Sequence, residues 1–423
     1  MSCLARRRTV VLAVVVILVL MGMAVLSGAQ AKAPDKVKFG LLFGLTGAAS
    51  PIGPVQVDGA KLAIEEVNDA GGIALGGKHV RIEWVVKDDE TKPDVAIRRM
   101  RELVLDEKVD VIVGQTFAPL SAALNKEVQR TPIAYFPVNV VALDMFKKDQ
   151  IAPTTFAIHG SAYAAGFAGA SYIVNKLGYK NIVFFAPAYA FGWDQWKGAK
   201  AALDKFGAKY KYLEAPVGTA DFTSYLLEIE KAKPDIVMMA QWGGDAINVL
   251  KQAYEIGLKS RTKIWFDWMT NVFGKGVPAE ALDGVYSLMS WYWDMSGFKD
   301  KTIVDAVRKF STKFTNKYGY PPDPYSAMAY LGTMEAVRGI QLAQSTDPEA
   351  IAKALLENPK FDSMKGPGLW RLDHQPLFKY GAFVVKGKGP KERKNEWDLV
   401  KIIDAYEGDD YLPDLDTLGY PAK

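Results

Sequence analysis

Residues 109–125 read VDVIVGQTFAPLSAALN, and their reading decides the fold. An apolar run, Val111-Ile112-Val113, stops at Gly114, and a short loop carries the chain into a helical pattern that begins near Pro119. A strand feeding a helix is the repeating unit of α/β architecture. It is also where such architectures place anionic ligand groups, because backbone N–H groups and the positive end of the helix dipole point outward there. A loop of that kind is expected to offer Ser and Thr hydroxyls. This one offers Phe117, Ala118, Pro119 and Leu120 instead.

The same alternation extends outward on both sides. Residues 37–43 read as a buried strand, and residues 55–70 place Val57, Ala60, Ile64 and Val67 at helical spacing until Gly71-Gly72 stops them. A strand at 80–86, a helix over 93–107, the strand at 109–113, a helix at 119–130 and a strand at 133–136 complete a first set. The pattern restarts with a helix over 162–177, a strand at 182–185 and a helix over 193–206. A helix at 222–232, a strand at 235–239, a helix at 244–257 and a strand at 263–266 follow. Regular alternation predicts parallel sheets with right-handed crossovers. Two sets predict an α/β protein of two doubly wound lobes, with a ligand cleft between the C-terminal strand edges. Beyond these, 285–293 reads as a strand and 302–318 and 325–343 as helices. The tail from 361 reads as turns and short strands added to the existing lobes.

The opening segment has a different character. Arg6-Arg7-Arg8 precede an apolar core over residues 9–26, and Ala29-Gln30-Ala31 form an A-x-A signature. These are the parts of a secretory signal peptide, expected to be cleaved after Ala31. The competing reading is a retained anchor, since the run approaches the ~20 residues that cross a bilayer. Cys3, the single cysteine, lies in the segment to be removed, so the mature chain would carry no disulfide and no thiolate chemistry. Cleavage removes three arginines and no acid, which takes the net charge from +4 to +1. With no basic stripe, nucleic acid is not an expected partner.

Catalytic signatures are sparse. There is no Gly-x-Ser-x-Gly elbow, and His79, His159 and His374 are far apart in sequence and read as loop or surface residues. The segment GIALGGK at 72–78 approaches a phosphate-binding loop, but it lies between a helix and a strand in the wrong order and reads as a turn. Asp88-Asp89-Glu90 reads as a solvated strand-end cluster. What does stand out is aromatic residues after successive strands: Tyr189, Phe191 and Trp193, then Trp242, then Trp268, then Trp291, Tyr292 and Trp293. Trp265 and Trp291 read as core; the others point to a shared strand edge, where each ring buried against a ligand contributes on the order of 1.5–3 kcal/mol.

With those residues in view, the chain resembles the periplasmic substrate-binding proteins of ABC importers for branched-chain amino acids and amides, the Leu/Ile/Val-binding type. The resemblance rests on VKFGLLFGLTGAASPIGPVQVDGAKLAIEEVNDAGGI (37–73), VVKDDETKPDVAIRRMRELVLDEKVDVIVGQ (85–115) and FGWDQWKGAKAALDKFGA (191–208). It extends to DFTSYLLEIEKAKPDIVMM (221–239) and KYGYPPDPYSAMAYLGTMEAV (317–337). It implies the type I periplasmic-binding-protein fold, two doubly wound lobes joined by a three-crossover hinge. The implied division is 35–156 plus 287–345 for lobe one and 157–286 plus 346–423 for lobe two.

The resemblance also implies site residues. The ligand-facing loop after the third strand corresponds to Thr116, Phe117, Ala118 and Ser121, and the next to Asn139 and Val140. Phe191 takes the place of a pocket Tyr beside Tyr189, Trp242 that of a second, and Asp267 or Trp268 the place of the acid that pairs with a ligand ammonium. Because the hydroxyls have largely gone, the expected ligand is less zwitterionic than an α-amino acid, such as an aromatic or apolar carboxylate or amide. The expected partners are that small molecule and inner-membrane ABC permease subunits, with the chain monomeric, periplasmic and without cofactor or metal. A ligand-sensing periplasmic protein feeding a receptor is the first alternative, and an exported enzyme the second.

Overall fold

The structure, a computed structural model, describes residues 35–421, so the expected signal peptide at 1–31 lies outside the described residues. Four parallel strands form the smaller sheet in the order Ile82–Asp88, Val37–Phe43, Val111–Gly114, Ala134–Pro137. The strand Val37–Phe43 is buried along nearly its whole length, as a central parallel strand covered on both faces must be. Its neighbour ends at Gly114, a position where any Cβ would collide with the Leu42 carbonyl.

The larger sheet runs Val400–Glu407, Tyr380–Gly387, Tyr286–Met289, Lys263–Phe266, Ile236–Met239, Asn181–Pro187, Lys209–Ala215. The last five of these are parallel, and the first two add an antiparallel pair at one edge. The edge strand Lys209–Ala215 is absent from the sequence reading. Its KYKYLEA pattern alternates exposed lysines with half-buried rings, which suits a strand with one solvated face but dilutes the apolar signal.

The chain passes between the two sheets three times, near 157–161, 290–300 and 378–380. Two of the expected division points move. Residues 287–289 stay in the larger sheet, because Ser287, Leu288 and Met289 pair with Val385, Val384 and Phe383. Residues 346–378 stay with the smaller-sheet side. The helix Pro348–Glu357 packs Ile351 and Leu355 against Gly339 of the helix Pro324–Ala343, and Trp370 meets Phe156 edge-on at 5.1 Å. These contacts are between side chains far apart in sequence, so local periodicity carries no trace of them. Among the described residues, no helix is long and apolar enough to cross a membrane.

Candidate functional site

Parallel strands carry their following loops to one edge of each sheet, and six of these loops meet around a cleft. The smaller sheet supplies Thr116, Phe117 and Ala118 after one strand and Asn139 and Val140 after the next. The larger sheet supplies Tyr189 and Phe191, then Trp242, then Trp268 and Thr270, then Ser290. His159 and the helix start Pro324, Tyr325 and Met328 close the ring. Nine of the eleven sequence-predicted residues thus line one space.

The rings touch across the cleft. Phe117 stacks on Tyr189 with centroids 5.9 Å apart and lies 5.7 Å from Trp242. Tyr189 stacks in turn on Phe191 at 5.8 Å. Trp242 Nε1 donates to the Tyr325 hydroxyl at 3.3 Å, and Trp268 meets His159 edge-on at 5.1 Å. Trp268 holds a left-handed backbone, φ +63°, which turns its ring out of the strand direction and into the cleft wall. Burial pushes the Tyr189 and Tyr325 phenols upward, so both remain neutral donors.

Polar groups face the cleft sparingly. Thr116 Oγ1 accepts from the Gly44 N–H at 3.0 Å, and Asn139 donates to the Thr116 carbonyl while its own oxygen accepts from Val140 N at 2.8 Å. Those two side chains therefore brace the loops. Among the described residues, Trp268 Nε1 and Thr270 Oγ1 are buried with no partner. No Asp, Glu, Lys or Arg lines the cleft.

Two expected residues fall elsewhere. Ser121 is buried one turn into the helix Ala118–Arg130, where its hydroxyl donates to the Ala118 carbonyl and accepts from Ala142 N. Asp267 is 1 % exposed and points into the core, accepting from Trp265 Nε1 at 2.6 Å and from the Gln195 amide. Burial raises its carboxyl to about 8, so it is uncharged at neutral pH and cannot pair with a ligand ammonium. The helix start is also poorer in free donors than the sequence implied. Pro119 has no N–H, and that of Leu120 donates to the Phe117 carbonyl.

Six lining residues escaped the sequence reading: His159, Thr270, Ser290, Pro324, Tyr325 and Met328. The Asp323-Pro324-Tyr325-Ser326 cap was a detectable signal, since an Asp before Pro opens a helix facing the cleft. His159 is a correction, because a segment connecting the lobes carries it inward rather than to the surface. Asp89 is a second: it is fully buried, not solvated, and burial raises its carboxyl to about 6. The residues read as core, Trp265 and Trp291, are fully buried. Trp193 is half exposed and donates to Glu214 at 3.1 Å, outside the cleft.

Comparison with known proteins agrees with this fold. The sequence model of the family described as "Periplasmic binding protein" matches residues 36–390. A relative from Brucella abortus (strain 2308), "Leu/Ile/Val-binding protein homolog 7", is 23 % identical over 355 residues, covering 80 % of this chain and 85 % of that protein. The crystal structure of a periplasmic binding protein from Burkholderia mallei superposes with a TM-score of 0.77 at 26 % identity, covering 90 % of this chain and 96 % of that one. An ABC transporter solute binding protein from R. palustris in complex with benzoate superposes with a TM-score of 0.74 at 22 % identity, covering 88 % and 96 %.

Proposed function

The chain belongs to the periplasmic binding protein family, and from that premise we propose that it captures an aromatic or apolar carboxylate or amide between its lobes. The loaded protein then delivers this ligand to the permease of an ABC importer. One observation carries the reading: fifteen residues line the cleft, six of them are Phe, Tyr or Trp, five of these reaching in from four strand ends, and none is charged. An α-amino acid enclosed there would bury its ammonium without a carboxylate, at a cost of several kcal/mol. A ring, by contrast, gains on the order of 1.5–3 kcal/mol from burial against these faces. The benzoate complex of the R. palustris protein supports an aromatic acid as a ligand that this fold can enclose.

We further propose export by way of the segment 1–31, a binding role without catalysis, and action as a monomer. A thermal-shift screen with leucine, valine, benzoate, phenylacetate, benzamide and urea tests the ligand class. The aromatic acids or the amide are expected to raise the melting temperature, with about 2.7 kcal/mol of stabilisation at a hundredfold excess over Kd. A shift with leucine or valine and none with the aromatic compounds would overturn it.

A further inference from the structure

Behind the cleft lies a second cavity, and it is built differently. The two spaces share His159, Trp268, Ser290 and Met328 as a common wall. All three crossing segments contribute to the rear chamber: His159 to Ser161 from the first, Ser290 from the second, Phe378 and Gly381 from the third. The rest is apolar, with small alanines of the helix Ala162–Asn175 on one side and Leu288 and Leu412 on others.

Into this apolar wall the fold places a lysine. Lys365, in the loop between the strands Lys360–Phe361 and Gly368–Trp370, is 2 % exposed. Its Nζ donates to the Gly381 carbonyl at 2.9 Å and lies 4.3 Å from the centre of the Phe378 ring, both of which line the chamber. An ammonium has three donors, and these contacts are its whole complement; among the described residues it makes no ion pair. Lys388 is the instructive contrast, since its largely covered side chain is paired with Asp398 at 2.5 Å. Other groups on the chamber wall are also donors in search of acceptors: Ser161 Oγ and Trp268 Nε1 are buried without partners. No carboxylate lines the chamber.

We propose that the rear chamber is the anion subsite of the ligand: the acid's carboxylate passes the Trp268–His159 wall and pairs with Lys365, while its ring remains on the aromatic faces of the cleft. This rests on the reading of the cleft given above and sharpens it to a carboxylate on an apolar spacer. It also answers a deficit at the helix start near Ala118, which lacks the donors to hold a carboxylate alone. Because the chamber is walled by all three crossings, charge pairing there ties the lobes' connecting segments together.

The electrostatics set a pH signature. Burial lowers the Lys365 ammonium to about 7, and burial together with that ammonium lowers His159 to about 3. The other titratable group on the chamber wall, Tyr411, is pushed upward by burial and stays neutral. An entering carboxylate restores charge to Lys365, so above pH 7 binding must take up a proton. Affinity for the acid then falls by roughly tenfold per pH unit above 7 until the loaded lysine itself titrates.

The test is calorimetric titration of the purified protein with 3-phenylpropionate and its neutral amide, at pH 6.5 and 8.5, in buffers of different ionisation heat. Wild type, Lys365→Met and Trp242→Ala are compared. Proton uptake is expected with the acid at pH 8.5 and not with the amide. Lys365→Met is expected to weaken the acid by roughly tenfold to a hundredfold, with the amide unchanged within about twofold. Acid binding that needs Trp242 but not Lys365, or that takes up no proton, overturns this inference and leaves the cleft reading intact. Binding that needs Lys365 but not Trp242 supports the chamber and overturns the aromatic seat. Failure of 3-phenylpropionate, phenylacetate and benzoate alike overturns both. Should Lys365→Met lower the melting temperature of the unliganded protein, proton uptake by the wild type decides alone.

Discussion

Asp267 shows how a single side chain changes role when its direction is known. It ends the strand Lys263–Phe266 among the aromatic residues of the cleft edge, and the sequence makes it the natural partner for a ligand ammonium. Its neighbour Trp268 turns outward, and Asp267 turns in to Trp265 and Gln195. With its carboxyl raised to about 8, the folded chain keeps a proton that the unfolded chain releases from about pH 4 upward. The folded state therefore binds more protons across that window, and stability falls as pH rises through it, by at most about 1.4 kcal/mol per unit. Asp267→Asn is expected to remove this slope while keeping the packing. Its oxygen can still accept from Trp265, and its amide can donate to Gln195 Oε1, a buried acceptor that now has no partner. Urea unfolding of both proteins at pH 5 and pH 8 measures it. Equal slopes in wild type and variant would show that Asp267 is ionised in the fold.

At the level of elements, the helix Pro324–Ala343 positions more of the cleft than any aromatic residue does alone. Its N-cap, Asp323, is 1 % exposed and accepts from Tyr325 N at 3.1 Å and from Val272 N, after a strand of the larger sheet, at 3.2 Å. Ser326 Oγ accepts in return from Asp323 N at 2.9 Å, completing a capping box that fixes Pro324, Tyr325 and Met328 against the ligand space. Asp323→Ala is expected to destabilise the protein by about 1–2 kcal/mol. Asp323→Asn keeps the acceptor and should cost less, since burial already raises the carboxyl to about 7. Denaturant midpoints decide; an alanine variant as stable as the asparagine one would deny the cap its role. This element was legible in sequence to within one residue of its start, as were most strands, because their apolar periodicity is local. The loops after those strands were placed for the same reason. The strand Lys209–Ala215, the inward turn of Asp267, the place of His159 between the two cavities and the burial of Lys365 were not legible. Each depends on which distant surface the side chain meets, and a charged residue carries the same letter in solvent or in a cavity wall.

At the scale of the whole molecule, the aromatic cluster is also one of the contacts between the lobes. Phe117 follows a strand of the smaller sheet, whereas Tyr189 and Trp242 follow strands of the larger one, so both of its ring contacts cross the cleft. Aromatic pairs of this kind contribute about 0.5–1.5 kcal/mol each beyond their area. Phe117→Ala removes two of them at once and shifts the unliganded protein toward separated lobes without touching either sheet. Because apparent affinity scales with the closed fraction, the variant is expected to bind the same ligand more weakly through that fraction as well as through lost contact. Small-angle X-ray scattering separates the two effects. The unliganded variant should have a larger radius of gyration than unliganded wild type, and saturation with an acid that stabilises the wild type should bring both to the same value. Radii that stay equal, with and without that acid, would mean that the lobes are fixed and that Phe117 acts only as a wall.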